Sequence, residues 1–122
     1  MKNSLFNWKR FKGSFVYAWS GIWRLLKTEQ NLWIILFLGV LAVVMAWCWN
    51  LTALEKAVIV LTSAMVLAAE ILNTTVEFIS EKFHLENQAE IEIIKNMMAG
   101  FVLILAMAAV VIGLLIFWPH IK

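Results

Sequence analysis

The sequence predicts an all-α membrane protein, an N-terminal amphipathic surface helix followed by three transmembrane helices. Three observations carry that expectation. Hydrophobic residues make up 63% of the 122-residue chain and the mean hydropathy is +0.85, well past the roughly half-apolar composition of soluble domains. After residue 30 the apolar residues fall into three runs of membrane-spanning length. Before residue 30, aromatic and basic residues are interleaved at helical spacing. The length allows one domain, 1–122.

The surface helix is expected over residues 6–27. Trp8, Phe11, Phe15, Trp19, Ile22, Trp23 and Leu26 are spaced by threes and fours, while Lys9, Arg10, Ser14, Ser20, Arg24 and Lys27 take the other side. An aromatic face opposed to a basic one suits the headgroup boundary of an anionic leaflet, and the tryptophans argue against a nucleic-acid patch. Lys2, Lys9, Arg10, Lys12, Arg24 and Lys27 all precede Glu29, the first acidic residue. By the positive-inside rule this end is expected to stay cytoplasmic.

The first span is expected at 32–49, with Trp33 at one end and Trp47 and Trp49 at the other, as an aromatic belt would place them. Residues 50–56 read as a turn. The second span is expected at 57–79. Residues 80–96 read as a polar connection that re-enters helix near Ala89, and the third span, 97–118, is expected to end at Pro119. No cleavable leader is expected, because the apolar run starts late and no small-x-small site follows it. The one cysteine, Cys48, excludes an internal disulfide and a cysteine-based metal site.

The stretch that asks for a function is EILNTTVE, residues 70–77. At 100° per residue Glu70, Asn73 and Glu77 fall at about 0°, 300° and 340°, one stripe of a helix. Acidic residues in a membrane helix are expensive, about 2.5–3.5 kcal/mol each near the bilayer centre. The bland alternative is that these carboxylates are solvated beyond the end of the span. Against it, Ile71, Leu72, Val76, Phe78 and Ile79 keep the segment apolar on its other sides. With the first span leaving the cytoplasm and the second returning, Glu29, Glu70, Glu77, Lys95 and Arg10 are all expected at the cytoplasmic interface. Hard oxygen donors with cations beside them suit Mg²⁺ and phosphate, and a spare carboxylate can accept a hydroxyl proton. Those are the parts of phosphoryl transfer. The chain has no Walker A run and no HRD or DFG motif, and His84 and His120 are isolated. A small multidrug-type transporter would want its carboxylate near mid-membrane, whereas these cluster toward one face.

EILNTTVE resembles the signature E-[IL]-[IL]-N-[TS]-A-[IV]-E of the small prokaryotic diacylglycerol kinase and undecaprenol kinase family. A glutamate opening the first span (LLKTEQN) and a lysine opening the third (KNMMAG) extend the likeness over nearly the whole chain. The resemblance implies a homotrimer with active sites at subunit boundaries, in the cell inner membrane, using MgATP to phosphorylate the hydroxyl of undecaprenol or diacylglycerol. It implies Glu70 as general base and Glu29 and Glu77 as the Mg²⁺ pair near the nucleotide. Arg10, Tyr17 and Lys95 match positions that contact ATP or lipid, and Asn73 is the amide of the signature. Two departures stand out. The family's K-D pair is Lys95-Asn96 here. The family's Y-H pair, about seven residues before the lysine, has as its counterpart Phe83-His84, eleven before it. Glu86, Asn87 and Gln88 occupy the corresponding nucleotide-loop positions. The competing expectation is a catalytically impaired homologue that serves as a membrane scaffold or lipid-binding regulator. KTEQN resembles the undecaprenol-type members.

Overall fold

The computed structural model of the chain describes residues 5–83 and 86–121. Those residues form four helices: α1 (Trp8–Thr28), α2 (Gln30–Cys48), α3 (Ala53–Lys82) and α4 (Gln88–Ile121). They divide into two units, 1–30 and 31–122.

In the N-terminal unit, Asn7 starts α1 by accepting a hydrogen bond from the Arg10 backbone N–H at 3.2 Å. A side-chain oxygen there satisfies one of the N–H groups that a helix start leaves unpaired. The helix therefore begins two residues after the expected position. Rings contact one another along its first turns, with Phe11 and Phe15 centroids 5.1 Å apart and edge-on. Glu29 ends the helix in an extended conformation (φ −116°, ψ 112°) and donates its backbone N–H to the Leu25 carbonyl.

In the second unit α2, α3 and α4 are each long and apolar enough to cross a membrane. The turn after α2 is shorter than the sequence suggests. Asn50 takes a positive φ of 54°, a conformation asparagine tolerates better than most residues. Its N–H donates to the Trp47 carbonyl, and the N–H of Leu51 donates to that of Ala46. That pair of bonds is a Schellman stop, and its usual apolar contact is present: Leu51 (3% exposed) and Ala46 (0%) lie in one cluster. Thr52 and Glu55 then form a reciprocal capping box, so α3 starts at Ala53 and the expected turn over 50–56 contracts to four residues.

Removing the Thr52 hydroxyl leaves the Glu55 N–H without its partner, and losing such a cap costs about 1 kcal/mol. Thr52→Ala is accordingly expected to lower thermal stability in detergent, while Thr52→Ser retains it. Equal melting of all three proteins would contradict the capping role.

The far ends of α3 and α4 also correct the sequence reading. Helix α3 continues to Lys82, and Asn87 caps α4 by accepting from the Glu90 N–H at 3.1 Å. Glu81 thus lies on α3, α4 starts at Gln88, close to the re-entry expected near Ala89, and the connection shrinks to 83–87. Pro119 sits inside the last turn of α4 and does not end the third span's helix at 118. It removes the donor for the Leu115 carbonyl, but only two further residues of the helix follow it.

Helices α3 and α4 are the closely packed pair. At one end Ala46, Leu51 and Ile59 cluster with Ile112, Ile116 and Phe117, Trp49 stacks edge-on against Phe117, and His120 Nε2 lies 3.8 Å from Glu55 Oε1. Gly39 lets α2 approach α3, since a Cβ there would stand 3.3 Å from the Ser63 Cβ.

Candidate active site

The EILNTTVE stripe lies in the C-terminal half of α3, away from that apolar cluster. Its members differ in environment. Glu70 is buried, 6% exposed, and Thr74 is 9% exposed one turn later. Asn73 is half-buried, and Glu77, two turns and about 10 Å beyond Glu70, is exposed. One carboxylate is enclosed by protein and the other is open. Among the described residues no buried side-chain nitrogen or oxygen lacks a hydrogen-bond partner. An enclosed, satisfied carboxylate is held in one place, which a proton acceptor needs. An open one can be reached by a solvated ion.

The packing of α4 brings a cation to this level. Glu55 lies beside His120, and Ile59 shares a cluster with Ile112. That antiparallel register brings Lys95 level with Glu77. Lys95 is half-buried, in the row of Ile91, Met98, Val102 and Ala109 that forms the packed side of α4, whereas Asn96 is exposed. Chemically, the second unit offers an enclosed carboxylate, an open carboxylate, an amide and an ammonium within a few helical turns.

Other expected site residues stand elsewhere. Glu86, Asn87 and Gln88 are exposed where the connection meets α4. The Asn87 side-chain oxygen is already used as the cap. His84 lies outside the described residues. In the N-terminal unit Arg10 is exposed in the first turn of α1, Tyr17 is exposed at mid-helix, and Glu29 is the half-buried residue that ends the helix. Thr74 was not singled out by the sequence reasoning. Its signal was the [TS] position of the signature, and its burial beside Glu70 makes it part of the site.

Among the described residues no three His, Cys or acidic side chains gather closely enough to hold a metal by themselves. The donor set present, carboxylates with a neighbouring amide and ammonium, fits a hard cation that arrives with phosphates and keeps waters, as Mg²⁺ does with one or two carboxylates.

The model of the prokaryotic diacylglycerol kinase family matches residues 16–117. The chain belongs to the prokaryotic diacylglycerol kinase family. A diacylglycerol kinase of Synechocystis sp. is 38% identical over 101 residues, which make up 82% of this chain and 58% of that protein. An undecaprenol kinase of Bacillus subtilis is 33% identical over 114 residues, 90% of this chain and 89% of that one. The chain thus spans little more than half the length of the Synechocystis relative. The stretch matched by the prokaryotic diacylglycerol kinase model takes in Tyr17, Glu29, the α3 stripe and Lys95, and it begins after Arg10.

Proposed function

We propose that this chain is a lipid kinase that transfers the γ-phosphoryl group of ATP to the hydroxyl of a membrane lipid alcohol, undecaprenol or diacylglycerol, at the cytoplasmic face. The observation that carries the reading is the enclosed Glu70 with the open Glu77 two turns further along one stripe of α3. In this reading the lipid hydroxyl gives its proton to Glu70. Its oxygen forms the new bond to the γ-phosphorus as the bond to the ADP oxygen breaks. Lys95, with Arg10 and Tyr17, neutralises and orients the phosphates, and Asn73 orients the carboxylates. Glu86, Asn87, Gln88 and Asn96 border the nucleotide. Glu29 and Glu77 are the residues that would hold Mg²⁺. When bound, the ion neutralises charge on the β- and γ-phosphate oxygens. The assembly in this reading is a homotrimer with its sites at subunit boundaries.

The test is direct. Purified protein in lipid, supplied with MgATP, is given undecaprenol and diacylglycerol in parallel. Phosphorylation of neither alcohol by folded protein would overturn the proposal.

The membrane orientation has its own test. The excess of Lys and Arg before Glu29 supports a cytoplasmic N-terminus. Cysteines placed at Ser14 and Ser20 are expected to react with an impermeant reagent from the cytoplasmic side. Labelling only from the outside would reverse the orientation.

Asn96, where the family pattern has aspartate, is expected to slow the enzyme modestly. It is exposed beside the half-buried Lys95, and an exposed ion pair contributes only about 0.2–1 kcal/mol. Asn96→Asp should therefore raise turnover at saturating lipid by no more than about fivefold. If Glu92, one turn earlier, already supplies the charge, Asn96→Asp changes nothing and Glu92→Gln becomes the damaging substitution.

A further inference from the structure

The basic residues of α1 fall into two rows rather than one face. The helix is continuous from Trp8 to Thr28, so at 100° per residue Tyr17 and Arg24 lie at about 340° and 320° relative to Arg10. The aromatic stripe from Trp8 to Leu26 covers about 100–220°, directly opposite that row. Lys9 and Lys27, both at about 260°, stand at the edge of the stripe, and Lys12, at about 200°, lies within it. With the stripe in the headgroup boundary, the lysines are at the level of lipid phosphates. The row of Arg10, Tyr17 and Arg24 then faces away from lipid.

That row is charged and open. Residues 8–28 contain no Asp or Glu, and Arg24 is exposed and makes no ion pair among the described residues. A Cβ added at Gly21 would meet nothing within 4 Å, so no side chain covers the row beside Arg24. The Thr28 hydroxyl donates to the Arg24 carbonyl at 2.9 Å, and the Glu29 N–H donates to that of Leu25. These bonds keep the last turn helical and fix the spacing between Arg24 and Glu29. Along the axis Arg24 stands about 8 Å from Glu29, Tyr17 about 18 Å and Arg10 about 28 Å.

We propose that Arg24 is a further phosphate-binding residue of the site, holding the phosphates of a nucleotide whose Mg²⁺ lies at Glu29. The proposal deepens the kinase reading and rests on it for the nucleotide and for the role of Glu29. A guanidinium is always charged, and its planar fork of donors fits two phosphate oxygens at once. Within one chain it is the member of the row nearest to phosphates bridged by an ion at Glu29. In the trimeric reading, with sites at subunit boundaries, Arg10 and Tyr17 serve a site whose Glu29 belongs to a neighbouring chain. Lys27 is nearer to Glu29 along the axis, but it lies about 60° round the helix from Arg24, at the lipid edge. A lipid headgroup offers the same phosphate chemistry, and the orientation of the row away from lipid favours the nucleotide.

Equilibrium binding of MgATP to the full chain in neutral lipid vesicles, with no lipid alcohol present, tests the proposal without turnover. Arg24→Gln is expected to weaken MgATP about ten- to a hundredfold, the scale of hydrogen bonds to charged groups. Arg24→Lys keeps the charge but loses the fork, so its loss is expected to be smaller, and Lys9→Gln and Lys27→Gln should bind as the parent does. With lipid alcohol added, Arg24→Gln should raise KM for MgATP and leave KM for the alcohol unchanged, a split that a general loss of structure would not give. MgATP affinity unchanged in Arg24→Gln would overturn the proposal, and so would a loss confined to Lys27→Gln. An Arg24→Gln effect seen only as weaker binding of phosphatidylglycerol would give the residue to lipid headgroups and overturn it too. If neither alcohol is phosphorylated but MgATP binding depends on Arg24, the kinase reading fails and the phosphate site stands. If alcohols are phosphorylated with KM for MgATP unchanged in Arg24→Gln, the phosphate site fails and the kinase reading stands.

Discussion

Glu70→Gln is expected to lower turnover by about 10²–10⁴-fold, the usual consequence of removing a general base, while MgATP still binds. Glutamine keeps the length and shape of the side chain but replaces one acceptor oxygen with a donor NH₂. It cannot take the hydroxyl proton. The position is buried at 6% exposure, some seventeen residues into α3 from the capping box that starts it. The near-isosteric change therefore tests chemistry with little change in packing volume. A circular dichroism melt of the variant in detergent controls for any effect on the fold. The expected pattern is a fall in kcat with nucleotide affinity retained. A variant that kept most of its activity would show that Glu70 is a structural carboxylate, and the role of base would have to pass to another group.

The sequence and the structure agree most where periodicity is strong and unbroken. Three apolar runs gave three long helices because each run must satisfy its backbone internally to cross lipid. The element ends are where they part, and each difference has a local cause. Asn50 and Leu51 stop α2 with backbone bonds that composition does not reveal. Thr52 and Glu55 fit the S/T-x-x-E pattern, yet the weakly apolar stretch after them hid the helix start. Ser80 and Glu81 suggested a loop because they are polar. A helix that extends past the bilayer into water is polar too, and polarity alone does not distinguish the two. Phe83 to Asn87 is all that remains of the expected connection.

The candidate site was legible to the extent that it lies on one helix. Glu70, Asn73 and Glu77 share a stripe by spacing alone, and their order along α3 follows directly. What spacing could not give is the contrast between an enclosed Glu70 and an open Glu77, since burial depends on what packs against the helix. The burial of Thr74 belongs to the same class of finding. The order of the spans already put Lys95 at the same end as Glu77, and the antiparallel register of α3 and α4 agrees with it. Asn87 illustrates the converse: a residue matched to a nucleotide loop has a structural task of its own as the cap of α4. The roles of Arg10, Tyr17 and Glu29 rest on their matches to the family pattern.

Glu77→Gln separates the metal role from the proton role. A hard divalent cation prefers anionic oxygen, and Mg²⁺ in phosphate sites is commonly held by only one or two carboxylates. If Glu29 and Glu77 are that pair, losing one charge removes half of the protein's anionic contribution. The expected result is a loss of MgATP affinity that appears only when metal is present, together with a loss of turnover of at least about a hundredfold, comparable to removing an electrostatic catalytic contact. Glu77 is exposed, so the amide leaves no buried charge unpaired and the fold should persist. Metal titration distinguishes this outcome from the one expected at Glu70. High Mg²⁺ should partly restore nucleotide binding to the Glu77 variant, whereas no amount of metal should restore turnover to the Glu70 variant. MgATP affinity unchanged by Glu77→Gln at every Mg²⁺ concentration would move the metal to other ligands and leave Glu77 as a charge near the phosphates.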